Sequence, residues 1–260
     1  MTFNLKNSLL LIIAVAFLAA CGGNVRKQDL GPDAYFEFAK NKFDNGDYVE
    51  SITDFTVIVL KFSGNPVVDD AQYYLAESHF KEGDYIIAVA EYNKLLSDYP
   101  QSEYRVLAQF KRGMAFYELS PRPELDQEYT RRAIRSFQEF VEENAGHELT
   151  PKAEGYIAEL RGKLAFKKMT GGETYRKKGE YDAAIIYYDL VIKEYFDSAP
   201  AGDAMYWKGH CQLKTKQYEE AQTTLSLFLE KYPEHKNIGK AKKMIEEAHD
   251  NLQKTAKGDS

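Results

Sequence analysis

Cysteine is the residue type in this protein with the most chemistry to offer, and it occurs at positions 21 and 211 only. Cys21 follows Leu18-Ala19-Ala20 and precedes Gly22, closing an apolar run from Leu9 to Ala20 that Lys6 introduces. A positive start, an apolar stretch and small residues before a cut describe an export peptide, and a cysteine directly after Leu-Ala-Ala is a bacterial lipobox. The predicted chemistry is cleavage ahead of Cys21 and acylation of that cysteine with diacylglycerol and a further acyl group. A spanning helix needs about 20 apolar residues, so residues 1–20 read as a removed signal rather than as an anchor. Each buried methylene adds about 0.8 kcal/mol of membrane affinity, which makes a multiply acylated Cys21 a stable attachment. Cys211 is then alone, so no intramolecular disulfide is available, and its apolar neighbours predict a small buried filler.

The other reactive side chains form no constellation. His79, His147, His210, His235 and His249 show no metal-ligand spacing with one another or with Cys211. His210 and Cys211 are neighbours on a helical pattern and point about 100° apart, too far for a nucleophile and its base. There is no Gly-x-Ser-x-Gly elbow and no phosphate-cradling loop, and the carboxylates scatter over polar faces. No catalytic residue, no metal and no cofactor beyond the acyl groups on Cys21 is expected. The formal net charge of −6 becomes one unit more negative when Lys6 is removed, and nucleic acid requires a basic field instead. Nucleic acid is therefore not an expected partner.

The elements that frame these residues repeat. Gly46-Asp47-Tyr48, Gly83-Asp84-Tyr85, Gly179-Glu180-Tyr181 and Lys216-Gln217-Tyr218 each read as a turn between two helices. A small residue follows each turn (Ser51, Ala88, Ala184, Ala221), with a large one a helical turn later (Phe55, Tyr92, Tyr188, Leu225). Another small residue precedes each turn at Ala39, Ala76, Gly172 and Gly209. A further unit uses Gly113, Ala133 and Phe137, with Ser120–Gln127 inserted and two prolines there forbidding a continuous helix. This is tetratricopeptide spacing, in which small residues let paired helices approach and large ones fill the gap. The expected fold is all-α: a right-handed α-solenoid of about five tetratricopeptide-like helix pairs with a C-terminal capping helix. Its parts are a signal at 1–20, a flexible tether at 21–31, repeats 1–3 at 32–146, and repeats 4–5 at 147–235. The last of these contains one long helix over 150–178, with Thr150-Pro151 as cap and first position and Gly171-Gly172 as a weak point. A capping helix over 236–254 and a disordered tail over 255–260 complete the sequence.

Such repeats offer a groove. Phe36 and Phe43, Tyr73 and Phe80, and Phe110 and Tyr117 recur in register in the first three units, and a seven-residue separation puts both members of a pair on one helix face. They are candidates for a peptide-binding aromatic strip on the inner surface, flanked by Lys40, Asp44, Glu77 and Lys81. Packing between adjacent first helices is the competing reading. Repeat four breaks the strip with Met169 and Arg176, and repeat five keeps only Tyr206 with Leu213.

Together, the lipobox, the five units, the long fourth-repeat helix and the loop Leu125-Asp126-Gln127 before the sixth helix resemble the BamD (YfiO) family. That resemblance implies a periplasmic scaffold, lipid-anchored in the cell outer membrane, that helps recognise and insert outer membrane proteins. It further implies that the C-terminal half docks on the polypeptide-transport domains of BamA and that the N-terminal groove receives unfolded outer membrane protein precursors. A second resemblance, to CpoB-like envelope scaffolds linked to division or peptidoglycan, accounts for repeats and export. Those proteins generally lack a lipobox and often carry an N-terminal coiled coil, which this sequence does not show.

Overall fold

The computed structural model describes residues 27–258. The expected signal at 1–20, Cys21 and residues 259–260 lie outside the described residues. Among the described residues every regular element is helical. A 3-10 turn at Lys27–Asp29 leads into α1 (Pro32–Asp44), α2 (Tyr48–Lys61), α3 (Val67–Glu82) and α4 (Tyr85–Asp98). Then follow α5 (Arg105–Leu119), α6 (Glu128–Glu143), α7 (Thr150–Lys178) and α8 (Tyr181–Glu194), and finally α9 (Pro200–Lys214), α10 (Tyr218–Lys231) and α11 (Ile238–Gly258). Each helix packs on its neighbours in sequence, and the first helices of successive pairs also touch, α1 on α3 and α7 on α9, with α11 on α9. First helices are thus the more crowded row, which makes theirs the inner side of the solenoid.

What fixes each pair is one contact between a small and a large residue. Phe55, Tyr92, Phe137, Tyr188 and Leu225, all on second helices, have no exposed surface, and burial of such a side group contributes about 1.5–3 kcal/mol. Each requires a first helix that comes close. A Cβ added to Gly113 would lie 2.7 Å from the Phe137 ring, one on Gly172 would lie 2.6 Å from Tyr188, and one on Gly209 would lie 2.5 Å from Leu225. Gly171 and Gly172 therefore serve as the seat on which Tyr187 and Tyr188 of α8 rest, inside an uninterrupted helix. The turns share one closure as well. In the second pair the Asp84 amide donates to the His79 carbonyl and the Gly83 amide to that of Phe80. The same bonds close the fifth pair, where Lys216 holds a left-handed φ of 63° in the glycine's place.

Three local expectations are corrected. Residues 27–31 do not behave as free tether: Lys27 Nζ sits 2.8 Å from Asp54 Oδ1 and Leu30 packs on the first-repeat core. Asp54 is buried, and the charge of Lys42, 2.7 Å away, joins Lys27 in holding it ionised. The cap of α7 is Leu149, not Thr150. The Thr150 hydroxyl instead donates to the Asn144 carbonyl at 2.8 Å. At the other end, α11 continues through Gly258, beyond the expected boundary at 254.

The inserted segment of the third pair is anchored from within. Gln127, 1% exposed, donates from Nε2 to the carbonyls of Arg122 and Leu125 at 2.9 and 3.0 Å. Lys163 of α7 donates to the Ser120 hydroxyl at 2.8 Å. The long helix thereby holds the loop that precedes it in sequence.

Candidate functional site

The six rings of the expected strip do not share one surface. Tyr73 and Phe110 are each 4% exposed and belong to the core. Tyr73 stacks on Tyr104 with centroids 4.3 Å apart, and Phe110 meets Phe140 at 5.5 Å and Phe137 at 5.8 Å. Phe36 is half-buried between Phe55 and Tyr74. Phe43, Phe80 and Tyr117 are the three that reach the inner surface, each partly buried. Angle alone did not separate the two sets. At about 100° per residue, positions three before and four after the small residue both stand about 40–60° from it. Height along the helix separates them: the earlier ring lies at mid-helix against the second helix, whereas the later one lies in the last turn, where the pair opens.

A position absent from the expected strip completes this inner face. Two residues before the small position stand Tyr74, Lys111 and Trp207, and each meets the last-turn residue of another repeat. Phe43 meets Tyr74 edge-on at 5.3 Å, Lys111 lies over Phe80 at 5.2 Å, and Arg176 lies over Trp207 at 3.9 Å. The repeat register marks these positions in the sequence. Tyr74 is the busiest of them, stacked on Phe55 and covered by Lys40 Nζ at 4.9 Å. Phe43 and Phe80 also close edge-on against the turn tyrosines Tyr48 and Tyr85 at 5.5 and 5.3 Å. Tyr117 instead packs on Tyr156 of the long helix at 4.8 Å and donates to Glu159 at 2.7 Å. That bond, together with burial, pushes its hydroxyl up to about 12.

The flanking charges divide in the same way. Lys40 and Asp44 pair with each other at 2.7 Å on the surface, and Lys81 is exposed. Glu77, expected beside the strip, is buried beneath it: it accepts from the Tyr92 hydroxyl and pairs with Lys111 at 2.7 Å. Burial and the Glu77 charge hold the Tyr92 hydroxyl well above its ordinary range. Near the start of α3, burial lifts the Asp70 carboxyl to about 6, with Asp69 and Glu103 adding to the effect. Cys211 is fully buried and its thiol is pushed up to about 11 by burial, which leaves it unreactive at neutral pH. Among the described residues no cluster of three or more His, Cys, Asp and Glu side groups could hold a metal, and no helix is long and apolar enough to cross a membrane.

The face is thus a row of half-buried rings and cations on first helices, with apolar and cation–π contacts running from repeat to repeat. Comparison with known proteins gives a family match. The model of the YfiO family, described as outer membrane lipoprotein, matches residues 28–211, and a tetratricopeptide repeat model matches residues 203–235. No curated protein matches the sequence. Among solved structures it is similar to the TPR2AB-domain:pHSP90 complex of yeast Sti1, at 15% identity over 87% of this protein and 86% of that one, with a TM-score of 0.44. It is also similar to a tetratricopeptide repeat protein of Parabacteroides merdae, at 15% identity over 87% and 79% of the two proteins and a TM-score of 0.37. A thermophilic repeat protein of Thermus thermophilus matches at 17% identity over 83% and 99%, with a TM-score of 0.36.

Proposed function

Because the protein belongs to the YfiO family of outer membrane lipoproteins, we propose that it is a scaffold of the β-barrel assembly machinery, held on the periplasmic face of the outer membrane by acyl groups on Cys21. The observation that carries this reading is the family match across residues 28–211. The lipobox supports the anchor. The scaffold role, rather than an enzymatic one, is supported by a repeat solenoid whose side groups serve packing and contact with a partner.

In this reading the N-terminal inner face, built on Phe43, Tyr74 and Phe80 with Lys40 and Lys111 beside them, receives extended aromatic-rich segments of unfolded outer membrane protein precursors. The rings offer apolar contact that tolerates sequence variation along such a segment. The C-terminal half docks on the polypeptide-transport domains of BamA.

Co-purification from detergent-solubilised envelope tests the assignment. BamA should be the dominant partner, and recovery of division or peptidoglycan proteins in its place would overturn it. The anchor is tested separately by Cys21→Ser, which should release the folded protein from the outer membrane fraction. Retention of that variant after a high-salt wash would contradict lipidation. For the precursor face, Phe43→Ala with Phe80→Ala should weaken binding of a precursor-derived peptide several-fold, with docking on BamA intact.

A further inference from the structure

The second helices form the outer row of the solenoid, and one register of that row sets the first repeat apart. At two before the small position and two, six and nine after it, α6 carries Arg131, Arg135, Glu139 and Glu142, and α10 carries Glu219, Thr223, Leu227 and Glu230. The same row has Asp182 and Lys193 at its two ends in α8 and Lys94 in α4. In α2 it reads Val49, Thr53, Val57 and Leu60, with no charge. These four positions fall within about 80° of one another around the helix. All four are exposed, Val49 by 60% and Leu60 by 73%. Contiguous exposed apolar surface marks an interaction site in a way that scattered side groups do not.

What covers this face follows from where the polypeptide enters the fold. Lys27 is fixed on α2 by its ion pair with Asp54 at 2.8 Å and lies over the exposed Phe38 ring at 5.0 Å. Asp54 stands one helical turn from Val57. Cys21 is six peptide steps before Lys27, so acyl groups on Cys21 hold Lys27 within about 20 Å of the lipid surface. The first repeat is therefore the part of the solenoid that the tether brings to the bilayer, and its outer row is the uncharged one. The acids of α2 do not oppose the approach: Asp54 is matched by Lys27 and Lys42, and Glu50 also acts on Lys42. Lys61 at the end of the helix is exposed and Lys27 is half-exposed. Such side groups can lay their stems along apolar surface and reach lipid phosphates with their ammonium groups.

We propose that the outer face of α2, with Val49, Thr53, Val57 and Leu60 toward the lipid, rests in the interfacial layer of the phospholipid bilayer to which Cys21 is anchored. This rests on the lipid-anchor reading above and adds an orientation to it, with α2 lying along the surface. An apolar stripe flanked by lysines is the contact an interfacial helix makes. Three apolar side groups form a weak patch by themselves. The tether makes their encounter with lipid intramolecular, at an effective concentration that a weak face can use.

The mature protein beginning at Cys21 is coupled through that thiol to a maleimide-bearing lipid in vesicles of phosphatidylethanolamine and phosphatidylglycerol. This keeps the natural length of the tether, and Cys211 is buried and does not compete. A tryptophan reporter is introduced by Leu60→Trp, or by Glu142→Trp at the same register of α6, and the signal of Trp207 in the parent protein is subtracted. Lipid carrying a nitroxide high on its acyl chain should quench the Leu60→Trp reporter at least threefold more than the Glu142→Trp reporter. Val57→Trp should be quenched like Leu60→Trp, and adding Val49→Glu and Leu60→Glu should bring it down to the level of Glu142→Trp. Every substituted position is exposed, so the fold is retained. Equal quenching of Leu60→Trp and Glu142→Trp, or quenching of Val57→Trp that survives the two glutamates, would overturn the docking of α2 and leave the anchor standing. The anchor is read separately, from the mass of the N-terminal peptide of protein isolated from the envelope, and a Cys21 without acyl groups would overturn both.

Discussion

Tyr92 and Tyr188 stand at the same register in the second and fourth repeats, and both rings are fully buried, yet their hydroxyls live in opposite circumstances. That of Tyr92 donates to Glu77, whose other oxygen pairs with Lys111 at 2.7 Å. That of Tyr188 makes no hydrogen bond of good geometry, and the cation acting on it is Arg176. The small residues beneath them differ too, Ala76 under the first and Gly172 under the second. The comparison teaches that the repeat keeps its shape while its polar complement is free to change. In the second repeat that complement is a carboxylate and an ammonium, and in the fourth it is the Arg176 guanidinium with no carboxylate paired to it among the described residues.

The sharpest way to break the comparison is to give the fourth repeat the alanine of the second. Gly172→Ala should cost about 2 kcal/mol or more by overpacking, because its Cβ would lie 2.6 Å from the Tyr188 ring. This runs against the gain of about 1 kcal/mol that alanine brings to a helix interior. Denaturant unfolding measures it, and an unchanged or raised midpoint would show that the two helices separate at no cost.

Removing the hydroxyls tests the polar half. Tyr92→Phe should cost about 1–3 kcal/mol, since it takes a donor from a buried carboxylate, whereas Tyr188→Phe should stay within about 0.5 kcal/mol because no well-formed hydrogen bond is lost. Equal losses in the two variants would erase the distinction drawn between the repeats.

A third contrast lies six residues before the small position, where Asp70 faces Asp69 and Glu103 while Asp203 of the fifth repeat pairs with His235 and Lys236. A carboxyl lifted on folding from its ordinary value of 3.8 to about 6 favours the folded state when protonated. Its contribution is fully present below about pH 4 and is lost as the pH rises through about 6. Asp70→Asn should therefore raise stability by about 1 kcal/mol at pH 7, after allowance for partial exposure, and by little at pH 4. Asp203→Asn should not raise it at either pH. Thermal melts of both variants at the two pH values give the result.

The smallest effect belongs to the turns. Lys216 holds the left-handed conformation that Gly83 holds in the second repeat. Lys216→Gly should gain about 0.5 kcal/mol, the relief of that backbone outweighing the added freedom of the unfolded state. A loss of melting temperature would mean that the lysine's own contacts contribute more than its backbone costs.

Much of the fold was legible because the constraint that builds it is local in spacing. A small residue on one helix and a large one on the next are tied to a turn between them, so Gly113 with Phe137 and Gly209 with Leu225 can be paired by counting. The inner face was legible only in part. Phe43, Phe80 and Tyr117 are partly buried in the last turn, whereas Tyr73 and Phe110 share their angle and differ in height, which a face projection does not record. Tyr74, Lys111 and Trp207 share a register position, but the register does not show that each meets a last-turn residue of another repeat. Glu77 was read as a surface flank for the same reason, since the hydroxyl and the ammonium that bury it come from α4 and α5.

The sequence by itself determined the helix pairs, their order and the close approach within each pair, because these follow from residue size at fixed intervals along one polypeptide. It also carries the linear Leu18-Ala19-Ala20-Cys21 pattern on which the proposed lipid anchor rests. Only the tertiary structure decided which charges are matched. A carboxylate such as Glu77 and a guanidinium such as Arg176 look alike in a repeat alignment, each a polar residue on a first helix. Desolvation and pairing energies depend on distances of a few ångströms across helices that are remote in sequence. Those distances exist once the repeats have stacked, and they leave Glu77 satisfied and Arg176 without a counter-charge.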